Sequence, residues 1–308
     1  MHHLGIDIGG GSAKVSLVDD ASTVRHQALV ELVDRGDDPV ANRLARVDVV
    51  ARAIAHATAD GAAPATVTVA TPGIVDAAHR RIVSLPGKLA GLEGVDWTTA
   101  LASHAPQHAM AVSVLNDGHA AVLGEARIGA GRGALDVAML TLGTGVGGGV
   151  VIDGRLFEGR NRRAGHLGHV SLDVRGAPSV FPTPGSLEWH VGDAYAGART
   201  GGRYASNEAI VAALTRGEAP ATSAWRSMMR ALAVGIASIV NVLDCERVIL
   251  GGGLVAAGTL LFDPLAHELA EVEWRPGGIA VEVVPAALGR FSGSVGAAVF
   301  GRERGVGT

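Results

Sequence analysis

Val112-Ser-Val-Leu-Asn-Asp-Gly-His-Ala-Ala-Val-Leu-Gly-Glu125 decides how the chain reads. A short apolar run stops at Asn116-Asp117 and restarts as an alanine-rich segment, the pattern of a buried strand running straight into a helix. The two polar residues then stand at a strand-to-helix corner, and in α/β sheets ligands collect at the carboxyl ends of the strands. Asp117 there can accept the proton of a bound hydroxyl, while Asn116 offers an acceptor and donors to that hydroxyl's neighbours. A plainer reading has Asp117 capping the helix that follows.

Upstream, Leu4-Gly-Ile-Asp-Ile8 and Lys14-Val-Ser-Leu-Val18 read as strands joined by Gly9-Gly10-Gly11-Ser12, a hairpin richer in glycine than a tight turn needs. A third strand is expected near Gln27–Leu32, a helix over Pro39–Ala59, and a strand over Thr66–Ala70 that Pro72-Gly73 turns sharply. A loop with Pro86 and Gly87 and a short helix near Thr98–Ser103 lead back to the corner. Downstream the first motif starts again. Ala138–Leu142 and Val150–Ile152 read as strands joined by a glycine loop over Gly143–Gly149, and the second ends at Asp153 as the earlier one ends at Asp19. Two such hairpins predict two similar α/β halves facing one cleft, residues 1–117 and 118–291, meeting at a hinge and not a spacer.

An irregular loop over Arg175–Pro184 leads to a helix opening at Gly185-Ser-Leu-Glu188, with further helices near Ser206–Leu214 and Ala221–Leu243. A strand at Arg247–Leu250 runs into Gly251-Gly252-Gly253, and a helix from roughly Gly258 to Glu273 and a strand over Ile279–Val284 follow. A final small-residue helix, Ser294–Gly301 within about 292–308, is expected to pack back on the first half.

Composition narrows the function. The 308 residues suffice for two modest domains, and 48% hydrophobic against 18% charged residues exclude a disordered chain. A formal net charge of −4 without a long basic run leaves no footprint for nucleic acid or an anionic membrane. Cys245, the single cysteine, excludes internal disulfides and a cysteine zinc site, fits a reducing cytoplasm, and reads as an apolar filler near a helix end. No signal peptide is expected, and the most apolar stretch, Ala231–Leu243, is too short and too interrupted by Ser238 and Asn241 to span a bilayer.

Glycines 9–11, 143–149 and 251–253 each follow a strand. Backbone amides freed in such turns bind phosphate oxygens without basic side chains, so a net-acidic protein can hold a nucleotide this way. None of the clusters continues as a phosphate-binding Gly-Lys-Ser/Thr, and none fits the dinucleotide fingerprint. Asp7, beside the first cluster, is placed to orient a hydrated magnesium ion, or else bonds its own turn. Lys14 balances phosphate charge or is a solvated strand lysine.

At this point the chain resembles the bacterial ROK sugar kinases of the actin-like ATPase and hexokinase superfamily. The resemblance rests on Gly5-Ile-Asp-Ile-Gly-Gly-Gly-Ser-Ala-Lys14, Thr71-Pro-Gly73, Asn116-Asp117 through Gly124-Glu125, Leu142-Gly-Thr-Gly-Val-Gly-Gly-Gly149 and Ala164-Gly-His-Leu-Gly-His169, completed by Gly185-Ser-Leu-Glu188 and Leu250-Gly-Gly-Gly253. They occur in family order over nearly the whole chain. It implies a two-domain actin-like fold, ATP and Mg2+ as cofactors, a small sugar as substrate and a homodimer. It implies Asp117 as the general base toward the attacking sugar hydroxyl, with Gly73, Asn116, His166, His169 and Glu188 around the sugar. Asp7, Gly9, Gly10, Gly11, Ser12, Lys14, Thr144 and Gly145 would serve magnesium and phosphates, and Gly252 and Gly253 the adenosine.

Departures accompany the matches. The threonine usual after the first glycine pair is Gly11, although Ser12 offers a neighbouring hydroxyl, and the glutamate of the family's Glu-x-Gly-His motif is His166. That glutamate touches the sugar near its first carbons, so His166 puts plain glucose in question; its alternative is a structural histidine bonded to backbone. Ser179, Phe181 and Ser186 stand where the family carries zinc-binding cysteines, so no zinc is expected and Pro178, Phe181, Pro182 and Pro184 are left to hold the loop. The expected activity is phosphorylation of a hexose or amino-hexose, glucose, N-acetylmannosamine or kanosamine, at the 6-hydroxyl. Alternatives are a catalytically silent sugar- or nucleotide-binding protein and a sugar-responsive repressor, the latter opposed by the absence of a basic recognition helix before the first strand.

Overall fold

A computed structural model describes residues 1–32, 38–59, 63–85, 89, 91–102 and 111–305. The first part runs β1 (His2–Ile8), β2 (Ser12–Asp19), β3 (Val24–Glu31), α1 (Pro39–Ala59), β4 (Thr66–Thr71), the short β5 (Ile74–Val75) and β6 (Ile82–Ser84), α2 (Trp97–Ala102) and β7 (Ala111–Asn116). After α3 (Asp117–Arg127) come β8 (Val137–Leu142), β9 (Val146–Ile152), β10 (Arg155–Leu156), α4 (Leu187–Val191), α5 (Ala196–Arg199), α6 (Asn207–Thr215) and α7 (Ala219–Leu243). The chain closes with β11 (Arg247–Gly251), α8 (Thr259–Val272), β12 (Glu282–Pro285) and α9 (Ser292–Gly305).

The strands form two five-stranded sheets of like design, β3-β2-β1-β4-β7 and β10-β9-β8-β11-β12. In each, an antiparallel meander supplies one side and parallel strands the other. The repeat read from the sequence is therefore a repeat of topology. Every residue of β4 is buried, as suits a parallel strand flanked on both edges, whereas edge strand β3 leaves most of its residues partly or fully exposed. Trp97, Ile54 and Leu101 pack on the first sheet, and Trp225, Met229, Leu232 and Ile236 of α7 fill the core beside the second.

α9 is buried from Ser292 through Gly301 and lies between the first sheet and α3. Small residues make the crossing possible: a Cβ on Gly296 would come 1.7 Å from the Ala120 carbonyl oxygen. Toward the first sheet, Ser294 shares a buried 2.7 Å hydrogen bond with Ser16 of β2.

Several boundaries differ from expectation for identifiable reasons. β9 begins at Val146, so Gly147–Gly149 are strand and not loop; glycine erases the alternation by which a strand is read. β12 starts only at Glu282, because Gly277 and Gly278 take left-handed φ of 65° and 82° and leave Ile279 exposed. The expected helix at 185–188 begins at Leu187, with Ser186 as its cap. Helix α7, 25 residues long, is apolar enough in length and composition to cross a membrane, which corrects the shorter reading. It nevertheless buries Trp225, Met229, Leu232 and Ile236 in the core. Cys245 is buried just past its end, and burial pushes the thiol up to about 11, consistent with an apolar filler. Expectations for Pro86, Gly87, Ser103 and residues 306–308 lie outside the described residues.

Candidate active site

The corner after β7 resolves the two readings of Asn116-Asp117. Asn116, and not Asp117, is the N-cap: its Oδ1 accepts from the backbone N–H of Gly118 at 2.9 Å and of His119 at 3.1 Å. Its Nδ2 donates to the Gly73 carbonyl at 3.0 Å, which ties the corner to the turn after β4. Gly73 must be glycine, with φ +102° and a would-be Cβ 2.5 Å from the Ser84 carbonyl oxygen. Because the neighbour caps the helix, Asp117 stands as the first helical residue, only half-buried; its Oδ1 accepts from the Gly118 N–H at 2.9 Å.

A cavity of about 330 Å³ opens over this corner. Gly73, Asn116, Asp117, Thr144, Gly145, His166, His169, Glu188 and Gly252 line it, nine of the residues singled out in the sequence. Glu188 Oε2 accepts from the Val146 N–H at 3.0 Å and stands so close to the 143–145 turn that a Cβ on Gly145 would come within 2.3 Å of it. His166 stacks on His169 with centroids 6.1 Å apart, and its Nδ1 is buried without a hydrogen-bond partner. Phe181 meets His169 edge-on at 4.7 Å, and Ser186 Oγ donates to Ser179 Oγ at 2.9 Å. Together with an isolated bridge between Pro178 and Pro184, these contacts hold the loop where family members carry cysteines. Among the described residues no group of three or more His, Cys, Asp or Glu side chains is disposed to hold a metal.

A second cavity of about 440 Å³ shares Gly143 and Thr144 with the first. Gly253 lines it, and so do Asp193, Ser206, Asn207 and Glu208, which carried no sequence motif. Their placement follows from local caps: Ser206 caps α6, and Asp193 accepts the Asn207 N–H at 2.6 Å.

Asp7, Gly9, Gly10, Gly11, Ser12 and Lys14 line neither cavity. They sit together in the first hairpin, where Asp7 and Lys14 are cross-strand partners with a 3.8 Å ion contact. Burial pushes the Asp7 carboxyl up to about 6; Lys14 pulls it down and the charge of Asp117 pushes it up further. A half-buried carboxylate with one ammonium 3.8 Å away suits a hard, hydrated cation that takes its remaining ligands from phosphate and water.

The sequence pattern of the ROK family matches residues 3–304. The chain is 30% identical to the glucokinase of Thermotoga maritima, covering 98% of this chain and 97% of that protein. It is also 30% identical to the kanosamine kinase of Amycolatopsis mediterranei, over 96% of this chain and 94% of that protein. Among solved structures, a ROK glucokinase from Streptomyces griseus in complex with glucose and AMPPNP superposes with a TM-score of 0.77 at 27% identity, covering 98% of this chain and 100% of that one. The architecture is accordingly the two-domain actin-like ATPase fold, and the chain belongs to the ROK family.

Proposed function

We infer that this protein is an ATP-dependent sugar kinase, transferring the γ-phosphoryl group to a hydroxyl of a hexose or amino-hexose, with the 6-hydroxyl as acceptor and Asp117 as general base. The observation that carries the reading is the division of labour at the corner. Asn116 satisfies the helix terminus, which leaves the Asp117 carboxylate on the wall of a cavity that shares Gly143 and Thr144 with a second one. In this reading the hydroxyl oxygen attacks the γ-phosphorus, its proton passes to the Asp117 carboxylate, and the bond to the β-phosphate oxygen breaks to release ADP.

Gly73, Asn116, His166, His169 and Glu188 would surround the sugar, and Thr144, Gly145 and the first hairpin the phosphates. Gly252, Gly253 and the polar groups near Asn207 would border the adenosine. Magnesium, held by Asp7 through phosphate and water, would neutralise charge on the phosphates; zinc has no part. Relatives named glucokinase and kanosamine kinase support glucose and kanosamine as the first sugars to test. The division at about residue 117, with the last helix packed back, suits closure that excludes water. A reducing cytoplasm and a homodimer complete the proposal.

The test is ADP release from ATP and magnesium with glucose, N-acetylmannosamine and kanosamine, run beside Asp117→Asn. Loss of a general base is expected to lower kcat by about 10²–10⁴ while ATP binding and melting temperature stay put. A parent that binds nucleotide yet turns over none of the sugars would instead favour a silent binding protein.

A further inference from the structure

Behind the cavity a second set of titratable side chains converges on Glu158, just past β10. Arg162 Nη1 donates to Glu158 Oε2 at 2.6 Å, His79 Nε2 stands 3.4 Å from the same oxygen, and His119 Nδ1 lies 3.9 Å from Oε1. Each histidine turns its other nitrogen to a backbone carbonyl. His79 Nδ1 is 3.0 Å from the Val114 oxygen in β7, and His119 Nε2 is 2.6 Å from the Ala164 oxygen. Arg162 also donates to the Ala77 carbonyl at 3.2 Å. Both histidine side chains are 1% exposed and Glu158 is 11% exposed, so these are not surface pairs of negligible worth.

None of Glu158, Arg162, His79 and His119 lines the cavity, yet the set ends on two things that do. His119 is two residues beyond Asp117 in the first turn of α3, and Ala164 begins the turn that presents His166 and His169. Gly165, at φ +82°, is wedged there: a Cβ would come 2.9 Å from the Gly149 Cα and 3.4 Å from His119 Nε2. The loop is thus clamped between β9 and an imidazole whose far side faces Glu158.

We propose that Glu158 is a positioning residue: through His119 it fixes the 164–169 loop against the helix that carries Asp117, and so sets affinity for the sugar more than the rate of transfer. The effect on sugar rests on the kinase reading; the effect on the loop does not.

The surroundings agree. Burial would raise the Glu158 carboxyl, but the hydrogen bond and charge of His79, then Arg162 and His119, hold it below the usual range. Burial holds His119 below its usual value, the Ala164 carbonyl and Glu158 work against that, and His166 lowers it further while Asp117 raises it. His79 additionally packs on the Phe300 ring at 4.9 Å, over which the Arg304 guanidinium lies at 5.4 Å. A backbone carbonyl only accepts, so each ring must spend an N–H on its carbonyl and, when neutral, turns a bare lone pair to Glu158; the carboxylate acts on His119 across 3.9 Å through its charge, favouring the ring protonated on both nitrogens.

Glu158→Gln keeps the shape and removes the charge, and His119→Asn removes the link to Ala164. Amide hydrogen exchange across residues 164–170 is expected to quicken roughly tenfold in both variants, with β8 and α7 unchanged. For the sugar the parent turns over fastest in the panel above, KM is expected to rise roughly tenfold, with kcat and the ATP KM within about twofold. Unchanged loop exchange in both variants overturns the proposal, as does loosening spread evenly through β8 and α7, which marks a merely structural role. If the loop loosens while the parent phosphorylates no sugar, the positioning role stands and the kinase reading falls.

Discussion

Two glycine-rich hairpins occupy corresponding places in the two sheets, and their glycines do opposite jobs. In the second, a Cβ on Gly148 would come 2.7 Å from the Met139 carbonyl oxygen and 2.8 Å from that of Gly165, and one on Gly149 would meet the Gly118 carbonyl oxygen at 2.6 Å. Those glycines exist so that α3, β8 and the 164–169 loop can close on a strand. In the first, nothing stands within 4 Å of a Cβ on Gly10 or Gly11, and neither takes a left-handed φ. The fold does not require glycine there. What an open, side-chain-free turn near the half-buried Asp7 offers is close access to backbone amides, the property a phosphate needs.

The largest expected effect follows from breaking this asymmetry. Gly148→Ala forces a methyl between two backbone carbonyls that cannot yield, and is expected to cost about 3 kcal/mol or more, read as a lowered denaturation midpoint or as insoluble protein. Gly10→Ala should change stability by no more than about 0.5 kcal/mol. Its effect, if the open turn serves phosphate, is a raised ATP KM at unchanged melting temperature. Equal destabilisation by both substitutions would erase the contrast.

Gly145→Ala is intermediate, because the obstacle is the end of a side chain and not backbone. Its methyl would displace Glu188, which must give up the Val146 N–H, at a stability cost of about 1–2 kcal/mol. The sugar KM should then rise while the ATP KM holds. A rise in the ATP KM alone would assign the 143–145 turn to the phosphates and release Glu188 from the sugar.

The same two hairpins show what was legible. The first reads correctly from sequence because Ile6, Ile8, Ala13 and Val15 keep alternation on either side of the turn. The second hides its strand, since Gly147–Gly149 carry no side chains to alternate. Motif residues around Asp117 converge as read, but the cap passes to Asn116, a distinction that depends on backbone angles and not on residue type. The Glu158 set was invisible because only Glu158 and Arg162 are near in sequence, four residues apart, and the tertiary fold alone brings His79 and His119 to them.

The smallest effect sharpens the comparison most. Gly11→Thr restores the residue usual at this place in the resembling kinases, into open space and at a backbone angle that accepts a side chain. Stability should stay within about 0.5 kcal/mol. A hydroxyl added next to Asp7 gives phosphate one more donor, about 0.5–1.5 kcal/mol of net interaction, so the ATP KM should fall severalfold with the sugar KM unmoved. A higher ATP KM would mean that this chain holds its phosphates by backbone alone and that the bare turn is the working form. In that case Ser12, partly buried at the start of β2, supplies the only hydroxyl the turn uses.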